Sequence, residues 1–540
     1  MSIQDLDFPY SPPCMMCQPI IDYTNVNFHD PSHLTPLTLF EDPEYNFGTF
    51  NVAIRGEIPI ISKHLHVFFN VDASGSMSDT CVDKRSKMQH ILFTLENILR
   101  IFHEKTMCNI SCHVQSFDSN IHPIIQDIDD IKAHDIESIV TKINQIRPGN
   151  STNIEQALQS AKEQIAVYRQ ANLEAEIVHI FLTDGEITSG SEDNQLLKTL
   201  VPKDCTNIFV GYGLEHDSLL LSFLSDELGN EYRFIDALER AGLVYGEIVH
   251  SILYRAIADV TIKVDNSEIY DYKTNTWLSY LNIGYLLSEQ QKTYHLRSKK
   301  PKEAVVYLLG KTIIKTRQFQ IITDVIEEQS STCYIYETDL TKYMFRQKTQ
   351  ELLYEAKTIS EKPKDKKNLG FMTLHLGDER EQEMKTKLKT FMQLMLKYMK
   401  DHNIESEPFM KMLCDDIFIA HKTFGTSLAN MYTSARQKSQ GCQQTYTVST
   451  NDKSKPKMNM MPTDEELFAQ FDPDELPPVL PRLGFRQHNN WVQYDDDEDD
   501  DDAIDYTLED TTISPYSTQG VINTMREVSG DTTLSMTQHL

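Results

Sequence analysis

The sequence has few basic residues for its length and no long apolar run. Its 51 lysines and arginines stand against 80 aspartates and glutamates, which gives a formal net charge of -29 at pH 7. A chain with this charge repels nucleic acid and anionic lipid surfaces. No stretch approaches the roughly 20 consecutive apolar residues that span a bilayer. We therefore expect neither a membrane span nor a nucleic-acid partner.

Cysteine is also sparse and irregularly placed. The nine cysteines form an odd, dispersed set, which fits reduced thiols better than a disulfide framework. The first residues lack the basic and apolar regions of a secretory signal peptide. These features predict an intracellular, cytoplasmic protein, or a virion component if the source is viral. Cys14 and Cys17 have the spacing of half a zinc site, but no second pair follows nearby, so we interpret them as an incidental pair.

The order of predicted elements divides the chain into segments. Strands and helices alternate in a pattern typical of a doubly wound, mostly parallel α/β sheet of the Rossmann-like kind, and short alternating strands and then helices follow. A strand before the α/β region would complete the later β-region and make the α/β domain an insertion. The predicted segments are an irregular N-terminal arm (1–38), strands of an accessory β-domain (39–61), the α/β domain (62–253), the rest of the accessory β-domain (254–340), a helical bundle (341–438) and a disordered acidic tail (439–540).

The acidic tail is predicted from its composition. Beyond residue 439 the chain is polar and punctuated by prolines, and residues 495–502 are an unbroken run of eight acids. Such a segment cannot bury enough apolar area to offset the entropy of ordering. We predict disorder from about residue 440 to the end, with a solvated tail as the simplest interpretation.

Hydroxyl and carboxylate side chains cluster where the predicted strands end. Asp72, Ser74 and Ser76 come directly after one buried strand, Asp184 follows a second, and Thr152 lies in a loop before a helix. Open α/β sheets bind ligands at the carboxyl ends of their strands. These hard oxygen donors, without histidine or thiolate, suit Mg²⁺ or Mn²⁺. Mg²⁺ keeps part of its shell for other ligands, so a partner's carboxylate could complete it.

The same residues carry a family resemblance. The pattern D-x-S-x-S at Asp72, with T-N at Thr152 and T-D-G-E around Asp184, resembles the metal-ion-dependent adhesion site of von Willebrand factor A (VWA) domains, and all five positions of that pattern are filled. The resemblance implies a VWA fold. It also implies that Ser74, Ser76 and Thr152 touch the metal, while Asp72 and Asp184 hold it directly or through water. The expected function is protein–protein interaction through a partner's acidic residue, without catalysis.

A broader resemblance extends beyond this domain. The flanking strand, the β-region and the helical region ending at 434–437 together resemble VWA-containing ubiquitin-ligase-type proteins. Nothing in the sequence supplies the spaced Cys and His ligands of their RING finger, so ligase activity is not carried over. Three alternatives stay open: a non-RING adaptor in ubiquitin transfer, a metal-assisted hydrolase, and a structural or virion scaffold component. Self-association is a further possibility, because a tail carboxylate could occupy the metal site of another copy.

Overall fold

The computed structural model describes most of the chain between residues 21 and 446 and a short C-terminal stretch. The described residues are 21–30, 36, 39–40, 42–54, 64–81, 83–104, 109–213, 216–227, 229–235, 240–312, 317–324, 339–360, 371–426, 428–446 and 513–530. The Cys14 and Cys17 pair and the acidic run at 495–502 lie outside them.

The strands and helices follow one another in the order below. The strands are β1 (Ile21–Phe28), β2 (Asn46–Ile54), β3 (Leu65–Asp72), β4 (Ile110–Phe117), β5 (Ile121–Ile128), β6 (Glu176–Thr183), β7 (Thr206–Tyr212), β8 (Glu231–Ile235), β9 (Arg255–Asp265), β10 (Glu268–Asp271), β11 (Thr276–Leu278), β12 (Tyr280–Leu287), β13 (Gln291–Ser298), β14 (Val305–Thr312) and β15 (Arg317–Asp324). The helices are α1 (Lys87–Glu104), α2 (Ile136–Ile143), α3 (Ile154–Ala171), α4 (Asn194–Leu200), α5 (Ser218–Leu224), α6 (Ala241–Leu253), α7 (Thr341–Ser360), α8 (Phe371–Asp401), α9 (Pro408–Thr423), α10 (Ala429–Cys442) and α11 (Gln519–Ser529).

A six-stranded sheet with the order β5-β4-β3-β6-β7-β8 forms the centre of the α/β domain. Its neighbouring strands are parallel except for the antiparallel pair β4 and β5. Every residue of β3 is buried, as expected of a strand whose two faces are both covered. Phe68 packs with Tyr168 of α3, and the next residue, Phe69, belongs to the core that includes α1 and α6. The prediction of a doubly wound, mostly parallel sheet is confirmed.

Two antiparallel sheets build the accessory β-domain. Their strand orders are β1-β2-β13-β10-β11 and β12-β9-β14-β15, and they share one apolar core. β2 precedes the α/β domain in the chain, yet it pairs with β13, which follows that domain, with Phe50 opposite Tyr294. The α/β domain is therefore an insertion between two strands of one sheet.

The N-terminal arm differs from the prediction at residues 21–28. The expectation for 1–38 is irregular chain, but β1 forms there and pairs with β2 along its length. β1 is an edge strand in which only Ile21 and Val26 are buried. Its own apolar alternation is too weak to predict a strand, because the pairing depends on β2.

In the part of the helical region that the structure describes, four helices are present. α7, α8 and α9 share an apolar core that is rich in methionine, and α10 packs against α7 and α9. Among the described helices, none is long and apolar enough to cross a membrane.

The C-terminal segment also differs from the expected disorder. α10 continues to Cys442, and residues 513–530 are ordered against the α/β domain. Tyr446 forms an antiparallel bridge with Ile513, so the chain returns to the point that it left. α11 then packs on α6 and α1, and the Asn97 amide of α1 donates to the Val528 carbonyl over 2.9 Å.

The apolar stripe of α11 explains why this helix forms. Val521, Ile522, Met525 and Val528 recur at helical spacing and are buried, and Thr518 caps the first turn. The stripe is only three turns long, and the sequence around it is polar. The overall composition of this region therefore predicts disorder and not a helix.

We predict that Gly246→Ala loosens α11. A Cβ at Gly246 would lie 2.3 Å from the Met525 Cα, so the helices must separate. Alanine normally stabilises a helix interior by about 1 kcal/mol relative to glycine. Here we expect a net loss of about 1–3 kcal/mol in the free energy of unfolding, because overpacking dominates. Hydrogen exchange over residues 519–529 should speed up, while Asn523→Ala on the exposed face of α11 should leave it unchanged. Unchanged protection in Gly246→Ala would contradict the tight packing.

Candidate functional site

The structure brings the five predicted site residues together at the carboxyl edge of the central sheet. Asp72 ends β3, Asp184 directly follows β6, and Thr152 lies in the loop before α3. The Ser74 and Ser76 hydroxyl oxygens are 3.0 Å apart, and the Ser76 hydroxyl donates to Asp184 Oδ1 over 2.7 Å. The Ser76 and Thr152 hydroxyls both lie near Gly185, since a Cβ built there would be 3.6 Å from each. These five residues are called the candidate site below.

Asp72 is the most constrained residue of the candidate site. Its carboxylate is fully buried and accepts the Ser74 backbone N–H at 2.7 Å and the Thr183 hydroxyl at 2.6 Å, one on each oxygen. Burial raises the pKa of Asp72 to about 6, against the lowering effect of the Thr183 bond, and the nearby Asp184 raises it further. Asp72 is therefore ionised at neutral pH, but at a cost that a bound cation would relieve.

Asp184 pairs with a lysine that sequence reasoning missed. Lys87 Nζ lies 2.8 Å from Asp184 Oδ2 and 3.2 Å from Asp79 Oδ2. Burial opposes the charge of Lys87, but the bonds to Asp184 and Asp79 raise the pKa of its ammonium. Lys87 begins α1, where the helix dipole disfavours a cation. A lysine in the first helical turn after the D-x-S-x-S motif was therefore a detectable signal for a nearby carboxylate.

The Thr152 loop is fixed by residues that carry no motif. The Gly149 N–H donates to the Ala73 carbonyl at 2.6 Å, and Asp118 fills the space that a side chain at position 149 would need. The Thr152 N–H donates to the Thr188 hydroxyl at 2.7 Å, and the Thr188 N–H donates back to the Thr152 carbonyl at 3.2 Å. Asp118 and Thr188 are positioning residues that no spacing rule could have found, because their partners lie far away in sequence.

The chemistry of the candidate site is that of hard oxygen donors. It contains two carboxylates and three hydroxyls, all at the carboxyl edge of the central sheet. In the described part of the chain, no group of three or more His, Cys, Asp or Glu side chains could hold a metal ion. A metal at this edge would therefore depend on the serine and threonine hydroxyls, which suits Mg²⁺ or Mn²⁺ better than a softer ion.

Comparison with known proteins identifies the domain that carries this site. A protein-family model, von Willebrand factor type A domain, matches residues 67–186. The chain therefore contains a VWA domain, as the sequence motifs indicated. Comparison with curated proteins found no match.

Several solved structures are similar to this chain at low identity. The ArnB paralog VWA2 from Sulfolobus acidocaldarius has 11% identity and a TM-score of 0.46, over 78% of this chain and 99% of that chain. A von Willebrand factor type A protein from Catenulispora acidiphila has 13% identity and a TM-score of 0.45, over 73% and 89%. Proximal thread matrix protein 1 from the mussel byssus, solved with a zinc-occupied MIDAS motif, has 14% identity and a TM-score of 0.29, over 36% and 49%.

We predict that Asp72 makes the metal-free protein less stable as the pH rises. Its folded pKa of about 6 exceeds the ordinary 3.8, so folding favours the protonated form. The stability from this group is complete below about pH 4 and is lost as the pH rises through about 6. The shift corresponds to on the order of 3 kcal/mol, since one pKa unit is about 1.4 kcal/mol.

Denaturant unfolding in EDTA checks this prediction. Relative to Asp72→Asn, the wild type should lose stability between about pH 4 and about pH 6. Asp79→Asn, an exposed carboxylate in the same loop, is the matched control and should follow the wild type. Parallel pH profiles for wild type and Asp72→Asn would show that burial does not govern the Asp72 titration.

Proposed function

We propose that the VWA domain of this chain is a metal-dependent docking module. Asp72, Ser74, Ser76, Thr152 and Asp184 would hold Mg²⁺ or Mn²⁺, and a partner protein would supply an acidic residue to the same ion. On this proposal the protein binds a partner and catalyses no reaction. The observation that carries the proposal is the convergence of three loops, which place three hydroxyls and two buried carboxylates at one sheet edge.

The site's own residues favour a cation that is only partly neutralised. Asp72 and Asp184 contribute two negative charges, and Lys87 offsets one of them. The cation, when bound, would supply a coordination position for a partner's oxygen. Because the ion itself is positive, its open coordination position would accept a carboxylate rather than an amine.

The protein scaffold keeps the donors in place before any ion arrives. Asp72 is held by Thr183 and Ser74, and Thr152 is held by Thr188. A preorganised donor set lowers the entropic cost of binding. The alternatives of a non-RING adaptor in ubiquitin transfer, a hydrolase or a virion scaffold stay predictions, since no contact of the described residues favours one of them.

The first test measures the metal and the partner in the same variants. We expect the double change Ser74→Ala and Ser76→Ala to weaken Mn²⁺ binding by more than about tenfold in calorimetry, because two direct oxygen donors are lost. Ser78→Ala is the matched control, since its exposed hydroxyl donates to the Gly75 carbonyl in the same loop. Circular dichroism should show that both variants stay folded.

The partner is then sought by pull-down from host lysate. Proteins retained by wild type and Ser78→Ala in Mg²⁺, but lost in EDTA and in the double variant, support docking through the ion. If Mn²⁺ binding is equal in all variants, or the same proteins are retained in EDTA, the proposal fails.

We further predict that Lys87→Met strengthens metal binding. The Lys87 ammonium occupies one oxygen of Asp184 and repels an incoming cation. Its removal should tighten Mg²⁺ binding by roughly tenfold or more, as expected for a unit charge a few ångströms away. Lys87→Arg keeps the charge and should bind like wild type, and Lys142→Met on the exposed side of α2 controls for net charge. Weaker binding in Lys87→Met would mean that Lys87 mainly orients Asp184.

A further inference from the structure

A cavity of about 370 Å³ lies where four parts of the chain meet. β8 and α6 of the VWA domain, β13 of the accessory β-domain, the helical region and the segment around Tyr516 all contribute to its walls. Glu231, which lines it, is the first residue of β8, whereas the candidate site lies at the carboxyl ends of the parallel strands. The cavity is therefore at the opposite edge of the central sheet and is separate from the metal proposal.

The two carboxylates on the VWA side of the cavity are satisfied by the protein. Arg233 pairs with Glu231 at 2.8 Å and with Glu247 at 3.2 Å. Glu231 also accepts the Tyr285 hydroxyl, and Glu247 accepts the backbone N–H of Thr445 at 2.9 Å. These acids therefore have no need of a ligand.

Three other charged residues of the lining also need no ligand, because each is hydrogen-bonded or exposed to solvent. Asp271 accepts the Lys273 N–H at 3.0 Å and the Thr274 hydroxyl at 2.8 Å, and Asp226 is exposed to solvent. Lys273 is exposed as well. The unsatisfied groups must therefore be sought on the wall formed by β13 and α7.

Three side chains on that wall carry a donor that has no acceptor among the described residues. Arg346 is 2% exposed and bonds only to uncharged groups, chiefly the carbonyls of Thr293 at 2.9 Å and Gln440 at 2.7 Å, while its Nε has no partner. The Tyr294 hydroxyl is buried and also has no partner. Lys292 also lines the cavity and is half-buried, and its ammonium forms no hydrogen bond or ion pair with a residue that the structure describes.

Buried cations without an anion are costly, and native structures rarely leave buried donors unpaired. Lys292 and Tyr294 are two residues apart on β13, so their side chains lie on the same face of the strand. We propose that this cavity binds a small organic anion, whose carboxylate or phosphate group is held by Lys292 and Tyr294. Burial lowers the pKa of Lys292, and the nearby Glu231 and Glu247 offset only part of that effect.

The size and walls of the cavity indicate a ligand larger than an inorganic ion. Its volume is within the range of about 300–1,000 Å³ that is usual for small-molecule sites. Tyr270, Tyr272, Tyr280 and Tyr285 add aromatic surface that would cover the ligand's uncharged part. Since four parts of the chain line the cavity, ligand binding should stabilise the whole described structure.

The experiment measures the thermal unfolding of the full chain with two anions as probes. Sodium phosphate and sodium succinate are titrated separately, in EDTA and against sodium chloride at matched ionic strength. EDTA keeps the candidate site free of metal, so the failure of one proposal does not affect the other. The variants are Lys292→Gln and Tyr294→Phe, and Lys302→Gln is the control because Lys302 is an exposed lysine of the same domain.

We expect at least one probe to raise the unfolding temperature of wild type and Lys302→Gln by several degrees. The apparent affinity should fall by roughly tenfold or more in Lys292→Gln, which loses a charge-assisted hydrogen bond, and by less in Tyr294→Phe. A response to phosphate alone indicates a phosphorylated ligand, and a response to succinate alone indicates a carboxylate ligand.

Two results would overturn the proposal. One is a wild type that responds to neither anion beyond the chloride control. The other is an equal response in wild type, Lys292→Gln and Tyr294→Phe, which would mean an adventitious ion only. If Lys292→Gln does not fold, Tyr294→Phe decides, since it keeps the aromatic ring that stacks on Phe50 and removes only the hydroxyl.

Discussion

The parallel pairing of β3 with β6 is the constraint on which the rest of the candidate site depends. The two strands run in register from Leu65 opposite Glu176 to Val71 opposite Leu182, so they end at the same level of the sheet. Asp72 and Thr183 then become neighbours, and their hydrogen bond connects the two loops that carry the carboxylates. A shift of either strand by one residue would turn one carboxylate to the other face of the sheet. The metal chemistry that we propose is thus a property of strand register before it is a property of individual ligands.

The same sheet is held at both ends by elements from outside the VWA domain. β2 precedes the VWA domain in the chain and β9 follows it, and both strands belong to the accessory β-domain. The two ends of the insertion are therefore fixed to the same domain. α11 packs on α6 and α1 from the opposite end of the chain. Arg233 and Glu247 form the VWA side of the cavity described above. The unpaired donors of β13 and α7 lie on another of its walls. The candidate site and the cavity therefore lie at opposite edges of one sheet.

Local patterns predicted the parts of this architecture that depend on local chemistry. The buried strand before Asp72 and the D-x-S-x-S motif both show in short windows, and the order of strands and helices indicated the doubly wound sheet. β1 and α11 were missed because each is short and polar on its exposed side, and each forms against a distant partner. Asp118, Thr188 and the cavity group of Lys292, Tyr294 and Arg346 were missed for the same reason. Their roles arise from contacts between segments far apart in the chain, which no single-sequence periodicity can encode.

The bridge between Tyr446 and Ile513 determines how the acidic run at 495–502 is connected to the folded structure. The Ser514 N–H donates to the Thr445 carbonyl at 2.7 Å beside that bridge, so the two positions that flank residues 447–512 are adjacent in the folded body. The eight acids therefore lie in the sequence between two fixed positions of the chain and not beyond the last of them. A single protease cut between residues 447 and 512 would leave two polypeptides that stay associated, because α11 is held by its apolar stripe and not by the peptide chain that leads to it. The folded structure would therefore persist after the chain that carries the acidic run has been cut.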